Sequence, residues 1–413
     1  MPSRRVVVVG AGIGGLTAAV ALHRRGWHVT VCERAPEPPV TGAGIGLAPN
    51  ALRALQAVGV DVTRVTGSAV PAAMGVRRSD GRWLVRVGTA DLAARYGTPP
   101  IAVPRPALNA ALAAALPPGA VHYGTTVTAV DGTGDRPVPH TEDGPGLPTD
   151  LVVAAEGIHS PLRRAYFSGH PGLRYVGETA WRALVEAPDL GIQAMSETWG
   201  RGERFGVTPL SDGRFYLYAT ATVPAGGRDA DPRVELRRRF DSWHDPIPAL
   251  LDRVDRLAPA DVLRHDLYEL AARLPRLHHG RIAWLGDAAH AMTPNLGQGG
   301  CQAIEDAVIL AHLLPGGDGG DGGDGTSTGT GTYARDTGTD GVPAALAAYT
   351  AARRDRTDSV RVRARRVGRL GALRNPLAVA ARDLAVRATP VRLALHGMDD
   401  LFNGFHLPDR PVR

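Results

Sequence analysis

One stretch, Arg5-Val6-Val7-Val8-Val9-Gly10-Ala11-Gly12-Ile13-Gly14-Gly15, constrains the fold of this chain more than any other. Its β-branched run predicts a buried strand. Glycines then occupy the first, third and sixth places of G-x-G-x-x-G. Leu16 to Arg25 predicts a helix that stops at Gly26, and His28 to Cys32 predicts a second strand ending at Glu33. Each part has a physical task. Gly10 permits a tight turn, Gly12 lets a pyrophosphate approach the backbone, and Gly15 lets helix and strand pack closely. The helix start, Ile13 and Gly14, offers free N–H groups to phosphate. Glu33 follows Gly15 by 18 residues, near the spacing of a carboxylate that holds a ribose hydroxyl, with Arg34 beside it. Strand, turn, helix, strand and acid in this order predict dinucleotide binding. Ser3-Arg4-Arg5 imitates an export signal, but the following apolar part carries four glycines and no small-residue cleavage site. The expected location is the cytoplasm.

A chain of 413 residues should hold two or three domains. No apolar run is long enough to span a bilayer. Two cysteines, Cys32 and Cys301, offer neither a disulfide framework nor a CxxC motif, and no metal site is expected. The net charge of +6 is carried entirely by arginine, since the chain has no lysine. The arginines from Arg353 to Arg374 are interrupted by Asp355 and Asp358 and lack aromatic interleaving. They read as a solvated helix face, not a nucleic-acid site.

Further along, Thr41 to Asn50 reads as a loop before a helix from Ala51 to Val58, with Asn50 as N-cap. Arg82 to Val87 predicts a strand. Pro106 suits the first turn of a helix running to Leu116. Residues 131–149 read as a loose hairpin tip. Asp150 to Ala155 predicts a buried strand ending at Glu156-Gly157. Between Leu173 and Val223 lie short alternating segments, with a hairpin folding at Asp212-Gly213. Arg281 to Leu285 is another apolar strand. It ends at Gly286-Asp287 and leads, through Pro294, Gly297, Gly299 and Gly300, into a helix from Cys301 to Leu314. Glu305 and Asp306 in its first turns favour the helix dipole. Residues 316–341, rich in Gly, Asp and Thr, read as a disordered loop. The remainder is helical.

Together these motifs resemble the class A flavin-dependent aromatic hydroxylases, in their salicylate-hydroxylase-like and zeaxanthin-epoxidase-like branch. The likeness runs from Val6 to about Leu401 and includes Arg105, Trp181-Arg182 and the arginine-rich C-terminal helix. It implies an α/β (α+β two-domain) fold: a Rossmann-like FAD-binding domain with an inserted, mainly β substrate domain and a C-terminal helical segment. The expected boundaries are 1–72, 101–173 and 276–315 for the first and 73–100 and 174–275 for the second. Residues 316–342 form the loop and 343–413 the C-terminal helices. The cofactor-binding set is then Gly10, Gly12, Ile13, Gly14, Gly15, Glu33, Arg34, Arg105, Glu156, Gly157, Asp287, Pro294, Gly297, Gly299 and Gly300. Glu156 stands where the family has Asp. Arg182, Pro294 and Tyr216 are the candidate catalytic residues. Arg182 would anchor either a substrate carboxylate or the flavin edge, or be merely solvated. Core packing competes for Tyr216 and Tyr218, and structural hydrogen bonding for His159 and His290. FAD would be resident, and NADH or NADPH would visit. With O2, the flavin would form a C4a-hydroperoxide and hydroxylate or epoxidise an electron-rich aromatic or alkene. No nucleic acid or stable membrane association is expected, and the chain would be a monomer or homodimer. A reductase without oxygen insertion is the alternative, and a nucleotide-binding regulator a remoter one.

Overall fold

A computed structural model describes residues 4–39, 43–146, 148–317 and 341–410. Two sheets organise it. The first has six strands in the order His278–His279, Ile282–Trp284, Leu151–Ala154, Arg5–Val9, His28–Glu33 and Val121–Tyr123. All neighbours pair in parallel except the first two. Strands covered on both faces must be apolar throughout, and Leu151–Ala154 is buried at every residue. The helix Ile13–His23 packs between this sheet and the helix Gly299–Leu313. It is buried from Ile13 to Leu22, as its lack of a polar face requires. Gly14 makes that packing possible, because a Cβ there would stand 2.8 Å from the Leu285 side chain and 3.0 Å from that of Ala303.

The second sheet has seven strands: Leu263–Leu270, Leu173–Glu186, Arg214–Thr222, Glu203–Pro209, Ala194–Trp199, Ala73–Arg78 and Trp83–Gly88. Its middle strands alternate. Trp181, Ala183 and Val185 share a core with Phe205, Val207, Phe215 and Leu217, closed by the helices Pro232–Phe240 and Ile247–Val254. Arg182, Arg204, Tyr216 and Tyr218 therefore belong to the opposite face. Core packing of the two tyrosines is thereby overturned: period-two alternation gives the core to Phe215 and Leu217.

Other expectations also change. Gly44–Leu47, expected as loop, is a strand paired with Ile101–Pro104. The following helix starts at Pro49, so Ala48 is the N-cap and Asn50 is free for other bonds. Residues 131–149 contribute ordered antiparallel strands, Val138–Thr141 and Gly144–Pro145, against Val127–Asp131. Most of the segment 316–341, expected as a disordered loop, lies outside the described residues. The helix Val342–Gly371 returns across the molecule and does not present a merely solvated face. Arg353 is wholly buried and Arg361 nearly so, because buried carboxylates and carbonyls on neighbouring elements need partners. No described helix is long and apolar enough to cross a membrane.

Candidate active site

The glycine loop is built as its spacing requires. Gly10 has φ +107°, and a Cβ there would lie 2.5 Å from the Ala155 carbonyl oxygen. A Cβ at Gly15 would overlap the Gly10 carbonyl oxygen, whereas one at Gly12 would meet nothing within 4 Å. The backbone is thus compressed behind the turn and open in front of it. Glu33, at the end of its strand, accepts from the Ala11 N–H at 2.7 Å and the Ala35 N–H at 2.9 Å, tying the acid to the loop. Arg34 is exposed beside it. Asn109 donates to the Ala11 carbonyl at 3.4 Å from the helix Arg105–Ala114, whose first residue, Arg105, is exposed.

The second and third motifs meet the first through the parallel sheet. Glu156 accepts from the Ser160 hydroxyl at 2.8 Å and the Leu162 N–H at 3.1 Å. Its carboxylate closes its own turn, and burial raises its pKa. Gly157 next to it is open, with φ +79°. Asp287 is exposed at the start of its short helix, and a Cβ at Gly299 would stand 3.9 Å from Asp287 Oδ1. Pro294 begins a 3-10 turn that ends at Gly297, with φ +62° and open space around it. Gly300 packs under Ile45, where a Cβ would come within 2.6 Å of Cδ1. Gly12, Gly157 and Gly297, distant in sequence, therefore each leave open space beside the backbone. The buried Thr293 Oγ1 and Gln298 Nε2, on either side of the Pro294–Gly297 turn in sequence, find no protein partner among the described residues.

The polar face of the seven-stranded sheet meets the nucleotide unit at the strand Gly44–Leu47. Tyr216 packs so closely on the strand Gly44–Leu47 that a Cβ at Gly44 would stand 2.6 Å from its own. Its ring centroid is 5.8 Å from that of Tyr218. Burial raises the pKa of Tyr216, while a hydrogen bond from Arg182 and the charge of Arg105 act against the rise. These three residues, far apart in sequence, thus share one locality. Arg182 Nη1 also lies 3.4 Å from His265 Nδ1, and burial followed by the Arg182 charge lowers the pKa of that imidazole. In that contact the guanidinium donates and the imidazole nitrogen accepts.

The chain belongs to the class A FAD-dependent aromatic hydroxylases. A family profile described as FAD binding domain matches residues 3–325. The chain is 35% identical over 387 residues to aurachin C monooxygenase/isomerase of Stigmatella aurantiaca, covering 92% of this chain and 93% of that one. It is 34% identical over 317 residues to FAD-dependent urate hydroxylase of Klebsiella pneumoniae, covering 75% and 81%. The crystal structure of Klebsiella pneumoniae HpxO with FAD and uric acid superposes with a TM-score of 0.84, 30% identity and 98% coverage of each chain.

The hydroxylase's open glycine cradle and orphaned polar atoms fit FAD. Sequence reasoning missed four parts of the surroundings. Arg204 is buried on the polar sheet face. It donates to Glu178 at 2.7 Å, Glu197 at 3.2 Å, Thr220 at 3.0 Å and Asn295 at 2.5 Å, so it joins the sheet to the Pro294 turn. Burial opposes its charge, and the two glutamates more than restore it. Alternation with Phe205 and Val207 was the available signal. Asn50 donates to Gln298 at 3.0 Å and Glu305 at 2.7 Å. Glu305 and Asp306, expected to serve the helix dipole, are instead buried and bound by Arg353 at 2.5 and 2.6 Å. His290 donates to Asp306 at 2.5 Å, a structural bond as expected, whereas the His159 ring is exposed and only its carbonyl accepts, from Arg164.

Both cysteines are buried. Burial pushes the Cys301 thiol up to about 12 and raises that of Cys32. The folded hydroxylase should therefore leave Cys301 unmodified by a thiolate-selective reagent at pH 8, roughly a thousandfold slower than a free thiol. Rapid modification before unfolding, read by mass spectrometry, would contradict this.

Proposed function

We propose that this hydroxylase uses NADH or NADPH and O2 to place one oxygen atom on an electron-rich aromatic ring, with alkene epoxidation as the variant. The observation that carries the reading is the Tyr216–Arg182 pair held against Gly44, with Arg105 in the same locality. Residues 1–72, 101–173 and 276–315 form the nucleotide unit in this reading, and 73–100 with 174–275 the substrate unit. Bound FAD would relay electrons from the nicotinamide to oxygen.

The chain's own residues supply the rest. Gly10 to Gly15 hold the pyrophosphate, Glu33 the ribose and Asp287 the ribityl hydroxyls, since a carboxylate only accepts. The start of the helix Gly299–Leu313 offsets negative charge on the reduced ring system. The Tyr216 and Tyr218 rings, tilted against each other, would exclude water. Tyr216 remains a neutral phenol near pH 7, so it orients a substrate by hydrogen bonding and does not remove a proton. Arg182 favours an anionic or strongly polarised ring. Urate, in the name of the Klebsiella pneumoniae hydroxylase, and uric acid, bound in the HpxO complex, are one heterocycle of that kind and support this choice.

Anaerobic flavin reduction by NADH and by NADPH, with and without candidate heteroaromatics, tests the proposal. Acceleration by one compound, followed by incorporation of labelled O2 into it, is expected. Reduction that no compound accelerates, without oxygen incorporation, would establish the reductase alternative. Tyr216→Phe should lower kcat/KM about tenfold to a hundredfold through loss of one buried hydrogen bond. It should leave the pH profile below about 9 unchanged, because the wild-type phenol does not ionise there. A basic limb that disappears in the variant would show instead that Tyr216 acts as a base.

A further inference from the structure

The helix Pro376–Ala388 is amphipathic in the wrong sense for a soluble surface. Arg382 and Asp383 face inward, with Arg382 bonded to the Gly200 carbonyl at 3.3 Å and Asp383 paired with Arg382 at 2.7 Å. Leu377 and Leu384 point outward, 81% and 69% exposed. Positions 377, 381, 384 and 388 fall on one stripe of a helix, and every one is exposed and apolar. The apolar surface continues into the next helix, Val391–His396, where Leu393 is 60% exposed. A face of this kind marks an interaction site.

Charge identifies the occupant. Between residues 361 and 398 the chain has nine arginines and a single acid, Asp383; Arg361, Arg365 and Arg382 are paired with carboxylates, Asp383 is consumed by the inward pairing, and Asp399 and Asp400 follow directly. Arg374, Arg387 and Arg392 are exposed along this surface, and none has a carboxylate partner among the described residues. Arg387 follows Leu384 by three residues, at the flank of the stripe. A second copy of the chain would bring like charges together at such an interface. Nucleic acid would satisfy the arginines but leave the leucines in water. Apolar side chains flanked by arginine match a bilayer surface with anionic headgroups, where the leucines enter the acyl boundary and the arginines meet phosphate.

We propose that Pro376–Ala388 and the helix after it form a reversible docking surface for an anionic lipid bilayer. No spanning segment is involved. Binding of this kind would be weak and peripheral, short of a stable membrane association. The proposal does not depend on the substrate assignment.

Co-sedimentation of the full-length FAD-loaded protein with vesicles tests it. Vesicles of equal parts phosphatidylcholine and phosphatidylglycerol should carry the protein down, and phosphatidylcholine alone should not. Raising the salt should release it. The double variant Leu377→Ser/Leu384→Ser should bind the anionic vesicles at least about tenfold more weakly. Its bound-flavin absorbance should be unchanged, which certifies the fold. Failure to bind anionic vesicles would overturn the proposal, as would equal binding by the double variant. A dimer seen by analytical ultracentrifugation in the wild type and lost in that variant would also overturn it, assigning the face to a second copy.

Discussion

Gly15→Ala should yield a folded but colourless protein. The added Cβ would overlap the Gly10 carbonyl oxygen and lie 3.3 Å from the Ala155 side chain. Neither neighbour can yield, because Gly10 is itself pressed against Ala155 and its strand is paired on both sides. The turn must therefore open, which displaces the N–H groups that face the pyrophosphate. Affinity for FAD should fall at least about a hundredfold, or roughly 2.7 kcal/mol. Fluorescence titration of the apoprotein with FAD measures this directly. Gly12→Ala is the informative control, because its Cβ would meet no protein atom within 4 Å. Any loss there must come from contact with the cofactor itself. Equal, tight FAD binding by both variants would remove the glycine loop from the site.

Arg353→Met should cost about 3–5 kcal/mol of stability, the usual consequence of leaving buried charge without its partner. Arg353 bonds Glu305, Asp306 and the Gln302 side chain, and all four residues are fully buried. In the native protein, burial alone would raise both carboxyl pKa values. Arg353, helped by Arg356, holds Glu305 down instead, while at Asp306 His290 and then Arg353 do so. The sign for stability follows. Because the folded pKa values are depressed, the wild-type contribution is fully present above the unfolded carboxylate range, about 4. It is lost only as pH falls through the lower folded values. In the variant the carboxyls titrate higher and take up protons on folding, so its deficit should shrink as pH falls toward 5. Urea denaturation at pH 8 and pH 5 tests both the size and the trend. A deficit below about 1 kcal/mol at pH 8, or one that grows on acidification, would contradict the account.

The two predictions bear on different levels of legibility. The glycine loop is local: Gly10 to Gly15 and the strands around it lie within thirty residues. Periodicity and residue size were therefore enough to place the turn and its acid. The hairpin at Asp212-Gly213 was legible for the same reason, since Glu203–Pro209 and Arg214–Thr222 pair directly across it. Glu305, Asp306 and Arg353 are different. Charged residues on a helix are ordinarily solvated, and nothing within one turn distinguishes these from surface residues. Only the return of Val342–Gly371 over Gly299–Leu313 shows that they are sealed together. Tyr216 is intermediate. Alternation showed that one face of its strand was inward, but not which one.

By itself, the sequence determined the nucleotide-binding strand-turn-helix, its terminal acid and the order of the later glycine motifs. Those features depend on the steric limits of neighbouring residues, which act wherever the segment finally sits. Tertiary structure alone decided that Tyr216 packs on Gly44 beside Arg182, that Arg204 joins the sheet to the Pro294 turn, and that leucines of Pro376–Ala388 point to solvent. Those outcomes depend on which surface each element is packed against, and contacts between residues distant in sequence, such as Arg204 with Asn295 and Arg382 with Gly200, set that choice.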